Sequence, residues 1–173
     1  MTAVAGSVFT AAQFNQTIRD NLAETAPSKA TVPGSYFAVS DTNQISQRTP
    51  AASTVNVSES TLSTSFVDLT TLGPQVTVNT STSALILVTA EISNNTASQA
   101  GRVGVNISGA TTETVDGTYV LRQETNGTAE FNRCTVARLH TTLTPGTNTF
   151  RMVYCATGGT AAFNYRNLIV FPY

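Results

Sequence analysis

A long succession of short β-type segments, separated by turn residues, constrains the fold of this chain more than any other feature. Between residues 53 and 173, segments rich in Val, Ile and Thr alternate with turns that contain Gly, Pro or Asn. In Gly101–Ser108, the apolar Val103, Val105 and Ile107 alternate with small or polar residues, so they share one face of a strand. About eight such strands predict a mainly β domain, an antiparallel β-sandwich or jelly roll.

Two regions predict how individual strands are placed. Ala84–Ile92 is apolar without interruption through Val88, which predicts a strand covered on both faces. Phe131–Leu143 and Thr147–Thr157 flank the turn residues Thr144-Pro145-Gly146. Two strand-like segments around such a turn predict a β-hairpin.

The predicted hairpin makes Cys134 and Cys155 cross-strand or diagonal neighbours. A disulfide is one interpretation. Two reduced, buried thiols are favoured, because we expect the protein to be made and assembled in a cytoplasm. The sequence opens without a charged leader and apolar run of signal-peptide type, and no segment approaches the about 20 apolar residues of a membrane-spanning helix.

Charged residues make up 11% of the chain, well below the usual quarter or so, and the formal net charge is -1. No basic stripe suits nucleic acid and no polybasic segment suits an anionic membrane, so neither is an expected partner. Polar character is carried instead by hydroxyls, with 31 threonines, and by amides. Such a surface suits packing among other proteins, because few charges must be desolvated. An ordinary low-charge β-protein would have the same composition.

The segment 1–24 contains the one convincing helix, predicted over about residues 10–23. Thr10 and Gln13 have the spacing of a capping box at its start. Phe9 lies just before the cap, and Phe14 is the fourth helical residue. The two have the spacing of a hydrophobic staple.

Phe14, Ile18 and Leu22 recur every four residues and form a narrow apolar stripe on this helix. A helix this short is marginal in water, so the stripe needs something to pack on. Its own domain, a sister subunit or another protein would each serve, and an intermolecular surface is favoured.

Residues 25–52 contain several helix-breaking prolines and glycines and predict an extended arm or a short hairpin that links the helix to the sandwich. The two short strands would be Ser35–Ser40 and Gln44–Arg48. Tyr36 and Phe37 are aromatic, which argues against a plain flexible linker. The candidate anchoring residues are therefore the apolar residues of the N-terminal segment and these two aromatic residues: Phe9, Phe14, Ile18, Leu22, Tyr36 and Phe37.

No catalytic, cofactor-binding or metal-binding residue is predicted. The single histidine, His140, lies in a predicted strand without a nucleophile elbow, which favours a surface or interface role. The carboxylates are scattered and are interpreted as solvated loop charges. Two cysteines and one histidine do not suffice for a structural zinc site. Aromatic residues toward the C-terminus would suit a sugar-stacking platform, but core and subunit-interface positions are favoured for them. They are Tyr119, Tyr154, Phe163, Tyr165, Phe171 and Tyr173.

The opening VFTAAQFNQTIRDNLAETAPSKAT, its continuation FAVSDTNQISQR and the closing GTNTFRMVYCATGGTAAFNYRNLIVFPY resemble structural proteins of tailed bacteriophages that infect actinobacteria. The matching positions at the start include Thr10, Ala11, Asn15, Arg19 and Leu22. The resemblance covers both ends well and the middle only in its general β character.

This resemblance implies a non-enzymatic virion protein: a capsid decoration or short head-fibre subunit, or a minor tail protein. It also implies a homotrimer, with a sandwich of the complement-C1q or tumour-necrosis-factor type and an N-terminal segment that anchors it to capsid or tail proteins. The alternative is a tail module that recognises a host-surface glycan.

Overall fold

The computed structural model describes residues 8, 10–23, 25–115, 117–126 and 130–173. The chain divides after Gln47 into two compact units. The first unit contains two helices and most of a hairpin, and the second is an antiparallel β-sandwich.

A helix of 13 residues, α1 (Ala11–Ala23), is the main element of the first unit. The Gln13 N–H donates to Thr10 Oγ1 over 3.2 Å, and the Thr10 N–H donates to Gln13 Oε1 over 3.1 Å. This reciprocal pair confirms the capping box. Phe9, which belongs to the predicted staple, lies outside the described residues. A four-residue helix, α2 (Ala26–Lys29), follows.

Two strands, β1 (Tyr36–Asp41) and β2 (Gln44–Arg48), pair as a two-stranded sheet. The turn between them contains Asn43 with φ of 57°, a left-handed conformation that asparagine tolerates. The Gln47 side chain accepts a hydrogen bond of 2.7 Å from the Thr31 hydroxyl and so fixes the segment before β1. Of the two conformations expected for this region, the structure has the hairpin.

The second unit contains the remaining strands of the described chain. They are β3 (Ala51–Val55), β4 (Glu59–Thr61), β5 (Gln75–Thr80), β6 (Ala84–Asn94), β7 (Ala100–Gly109), β8 (Leu121–Glu124), β9 (Asn132–His140), β10 (Gly146–Ala156) and β11 (Ala161–Pro172). The sandwich thus includes residues 51 and 52, which were expected to belong to the arm.

Two antiparallel sheets form the sandwich, as predicted. The first sheet has the order β5-β10-β7-β8, and the second has the order β3-β11-β6-β9, with β4 also paired to β11. From β8 onward, successive strands alternate between the two sheets. The core lies between them and includes the fully buried Phe150, Tyr154, Phe163 and Leu168.

The alternation of β7 and the end of β11 is confirmed, since Val103, Ile107, Leu168 and Val170 are buried. The prediction for β6 was wrong in one respect. Its residues alternate between buried and partly exposed positions, so within this chain the strand is covered fully on one face only.

The predicted hairpin of β9 and β10 was also wrong. β9 pairs with β6 in the second sheet, whereas β10 pairs with β5 and β7 in the first. The connection crosses the end of the sandwich: Leu143 is buried in the core, and its N–H donates to Thr82 O over 2.9 Å. The Asn148 side chain donates to Thr144 O over 3.0 Å and to the Thr80 hydroxyl over 2.8 Å.

Candidate functional site

The apolar stripe of α1 is the first candidate surface. Phe14, Ile18 and Leu22 are 52%, 42% and 57% exposed, and no residue of α1 is buried. These three side chains lie within about 80° of one another around the helix axis, because each step of four residues advances by about 40°. Gln16 and Asp20 lie on the opposite side. The helix therefore presents one apolar side and one polar side.

The hairpin adds two apolar side chains to the surface of the first unit. Phe37 is 38% exposed and Val39 is 76% exposed, and both lie on the same face of β1 because they are two residues apart. Tyr36, the other predicted anchoring residue of this strand, is partly buried. Val39 was not among the predicted residues, although its two-residue spacing from Phe37 would have indicated it.

His140 has a different environment from the one predicted. Its side chain is fully buried, because His140 follows Val136 and Arg138 on the inward face of β9. Its Nε2 lies 2.8 Å from Glu113 Oε2, and its Nδ1 accepts from the Thr142 N–H over 3.3 Å. These two partners assign the ring proton to Nε2. The prediction of a surface or interface histidine was therefore wrong.

Glu113 accepts from both side chains of β9 that face it. Besides His140, the Arg138 Nη2 donates to Glu113 Oε1 over 3.2 Å. Partial burial by itself raises the pKa of the Glu113 carboxyl, but the hydrogen bonds from His140 and Arg138 and the positive charge of Arg138 outweigh it. The pKa of Glu113 therefore lies below its ordinary value of 4.5. Arg138 also stacks over the ring of Tyr119, 4.2 Å from its centroid.

A β-bulge in β11 directs a second ionic group into the interior. The pairing of β11 with β6 shifts between Asn164 and Asn167, and Tyr165 has φ of 44°. The extra residue turns Arg166 inward, where it is fully buried. Its Nη2 donates to Val57 O over 3.0 Å and lies 3.5 Å from Glu59 Oε2.

This buried arginine has incomplete hydrogen bonding. Its Nε and Nη1, and the hydroxyl of Tyr154, have no hydrogen-bond partner among the described residues. The guanidinium lies 5.3 Å from the Tyr154 ring centroid. Burial raises the pKa of Tyr154 to about 12, despite the opposing charge of Arg166. We interpret this group as structural, since it joins β11 to the segment that contains Glu59.

The two cysteines lie on different sheets and are both free. Cys134 is paired with Ala90 of β6, and Cys155 with Arg102 of β7. The expectation that they are cross-strand neighbours was wrong, because it depended on the β9–β10 hairpin. Burial raises the pKa of the Cys155 thiol.

A polar groove on the outward face of the first sheet is the second candidate surface. Its volume is about 240 Å³, and its polar lining includes Gln75, Asn106, Ser108, Thr112 and Arg151. Arg151 also pairs with Asp68 over 3.2 Å. The carboxylate of Glu113 also lines the groove. Amides, hydroxyls, a guanidinium and a carboxylate are groups that hydrogen-bond to neutral hydroxylated ligands.

No protein-family model matches this chain, and no curated protein matches it. Among solved structures, one similar chain is VP2 of infectious bursal disease virus, from the crystal structure of a subviral particle. The two chains share 12% identity with a TM-score of 0.48, over 80% of this chain and 38% of VP2. The present chain therefore spans well under half of VP2. At this degree of similarity the likeness does not indicate what the present chain does.

None of the described helices has the length and apolar character needed to cross a membrane. Within the same part of the chain, no three His, Cys, Asp or Glu residues are grouped so as to hold a metal ion. The candidate surfaces among the described residues are the α1 stripe, the exposed face of β1 and the polar groove.

Proposed function

We propose that this chain is a structural subunit of a bacteriophage virion, a capsid decoration or short head-fibre protein that docks through its N-terminal segment. The observation that carries this proposal is the exposed apolar stripe of α1 on a chain with few charges. The resemblance of both ends of the sequence to phage structural proteins supplies the kind of particle.

Docking would remove the apolar surface of the α1 stripe from water, which stabilises the bound state. Full burial of a large apolar side chain contributes about 1.5–3 kcal/mol. Phe14, Ile18 and Leu22 are already about half covered, so docking would gain roughly half of that for each. Together the three side chains contribute about 2–4 kcal/mol to the free energy of docking, which corresponds to weak binding by a single anchor.

Several linked anchors would make this affinity sufficient. In the homotrimer implied by the resemblance, three helices would dock together, and the second and third would bind at a high effective concentration. Overall affinity can then rise by about 10²–10⁴-fold without any new type of contact. Phe37 and Val39 on β1 would add apolar surface to each anchor.

Paired variants of α1 test this proposal. Phe14→Ser with Ile18→Ser should reduce the number of copies on assembled particles at least about tenfold, since it removes about 1.5–3 kcal/mol per anchor. Gln16→Ser with Asp20→Ser is the matched control, because it makes the same change at the same spacing on the opposite side of the helix. Full occupancy by the first variant would show that α1 is not the anchor.

The polar groove favours a second candidate function, a minor tail module that recognises a host-surface glycan. Sugar hydroxyls pair well with amides, hydroxyls, a guanidinium and a carboxylate, which are the polar groups that line the groove. Binding of the full chain to a glycan array would test it, with Asn106→Ala as the groove variant. Equal binding by the wild type and this variant would exclude the groove as the site.

A further inference from the structure

One wall of the polar groove is formed by residues 112–115, which we call the latch segment. Thr112, Glu113 and Thr114 line the groove from this side, and residues of β5, β7 and β10 line the rest of it. Thr112 and Thr114 are exposed, while Glu113 and Val115 are only partly buried. A segment with so little buried surface opens at a low cost in free energy, so its position depends on a few specific contacts.

The latch segment lies against the part of β7 that β8 leaves unpaired, since β8 pairs only with the first four residues of β7. Glu113 and Ile107 exchange two backbone hydrogen bonds of 2.8 and 2.9 Å there. The Val115 N–H donates to Asn106 Oδ1 over 2.9 Å. The Val115 side chain lies directly on Gly104, which leaves no room for a Cβ atom. These contacts hold the segment to the first sheet.

The Glu113 carboxylate holds the latch segment to the second sheet. Its Oε2 lies 2.8 Å from Nε2 of the fully buried His140, and its Oε1 accepts from Arg138 Nη2 over 3.2 Å. Among the described residues, these are the ionisable groups of β9 that face it. Arg151 of β10 lines the same groove but is paired with Asp68 over 3.2 Å.

The chain just before the latch segment is fixed independently of Glu113. The Ala110 N–H donates to Thr147 O over 3.0 Å, and the Thr111 N–H donates to Asn148 Oδ1 over 2.7 Å. Gly109, with φ of 107°, makes the turn out of β7. The latch segment can therefore swing away from β9 while the strand that precedes it stays in place.

We propose that the polar groove is acid-labile: protonation of Glu113 releases the latch segment from β9 and opens this wall of the groove while the sandwich stays folded. The proposal deepens the second candidate function by naming how the groove is regulated, and it rests on that function for its role in ligand binding. The contacts of the latch segment support it without reference to any ligand.

Protonation of Glu113 removes the one carboxylate that Arg138 and His140 share. Arg138 keeps its charge and then faces a neutral acid. A proton taken up by the buried His140 ring would likewise have no anion beside it, and burying such a charge is costly. Opening brings these groups into contact with water, where an imidazole is readily protonated in acid.

The direction of the effect also follows from the Glu113 carboxyl itself. Its pKa in the latched state lies below the ordinary value of 4.5, because it accepts hydrogen bonds from His140 and Arg138. The released carboxyl therefore binds a proton more readily than the latched one, so a falling pH favours opening. Each unit of pKa difference between the two states changes the opening equilibrium tenfold.

Hydrogen exchange of the full chain, measured at single amides at pH 7 and pH 3.5, tests the proposal. Protection factors correct for the intrinsic effect of pH on exchange. We expect the protection of the Glu113 and Val115 amides to fall at least about threefold at pH 3.5, while the amides of β10, such as Met152, keep theirs. Unchanged protection of the latch segment, or its loss together with that of β10, would overturn the proposal.

Two matched variants identify the group that responds to acid. Glu113→Gln should show weakened protection of the Val115 amide already at pH 7 and little further change at pH 3.5. Glu124→Gln is the control, because Glu124 is a half-exposed carboxylate of β8 that pairs with Arg122 over 2.7 Å. It should behave as the wild type does. Wild-type protection in Glu113→Gln at pH 7, or equal effects of the two variants, would show that Glu113 is not the latch.

The measurements keep this proposal separate from the function of the groove. If the latch segment opens in acid but the full chain binds no glycan at pH 7, the glycan-binding role alone is wrong. If a glycan binds in the groove as strongly at pH 3.5 as at pH 7, the acid-labile groove is wrong and the glycan-binding role stands.

Discussion

Glu113 and His140 join the two sheets of the sandwich, since Glu113 Oε2 lies 2.8 Å from His140 Nε2. His140 belongs to β9 of the second sheet. Glu113 lies on the β7–β8 loop, where its backbone exchanges two hydrogen bonds with Ile107 of the first sheet, of 2.8 and 2.9 Å. The loop therefore extends the first sheet beside β7 and reaches across to the second.

The first prediction concerns the pH dependence of this contact. The pKa of folded Glu113 lies below its ordinary value of 4.5, so the carboxylate contributes stability while the unfolded group is ionised, above about pH 5. That contribution is lost as the pH falls through the lowered pKa of the folded state. We expect Glu113→Gln to lower the melting temperature at pH 7, and the difference from the wild type to narrow as the pH falls below 4.5.

Thermal unfolding of both proteins between pH 7 and pH 3 measures this difference. A gap in melting temperature that stays constant over the whole range would contradict the assignment of the ionised carboxylate as the partner of His140 and Arg138.

The second prediction concerns the buried Arg166. Arg166→Met should destabilise the sandwich by about 3 kcal/mol, because it leaves the Glu59 carboxylate without its cation. Glu59 still accepts from the Thr71 N–H over 2.9 Å, which limits the loss. Combining Arg166→Met with Glu59→Gln should cost less than the sum of the two single changes.

Denaturant unfolding of the two single variants and the double variant completes this cycle. Strict additivity would mean that Arg166 and Glu59 do not interact in solution.

The third prediction concerns the cysteines. Because they lie on different sheets, the protein should show no intramolecular disulfide, and a reductant should leave its melting temperature unchanged. Cys134 is partly exposed, whereas Cys155 is buried and has a raised pKa. Iodoacetamide at pH 8 should therefore alkylate Cys134 of the folded protein much faster than Cys155.

Mass spectrometry of the peptides reports both rates. Equal alkylation of the two thiols in the folded protein, or a Cys134–Cys155 linked peptide, would contradict the arrangement of β9 and β10.

Local patterns allowed the helix and most of the strands to be predicted. The capping box of Thr10 and Gln13 and the four-residue spacing of the stripe depend on contacts within one turn of helix. The alternation of Leu168 and Val170 likewise depends on a single strand. Such features need no knowledge of distant parts of the chain.

Features that depend on distant pairing could not be predicted in this way. The turn at Thr144-Pro145-Gly146 indicates that the chain reverses direction, but not which sheet the next strand joins. The contact of Glu113 with His140 joins residues that are far apart in sequence and has no local signal.

The bulge of β11 was not predicted, although the sequence contains a local signal for it. The inward apolar residues change from odd positions, Ala161 and Phe163, to even positions, Leu168 and Val170. Such a change of parity requires one extra residue between Phe163 and Leu168, and it would have predicted the bulge without deciding whether Tyr165 or Arg166 turns inward.

The assignment of this chain to a virion is tested most directly by protein mass spectrometry of phage particles purified on a density gradient. We predict that the intact chain co-purifies with the major structural proteins, in a ratio that stays constant across the particle fractions. Its presence in the infected-cell lysate together with its absence from those fractions would contradict the assignment.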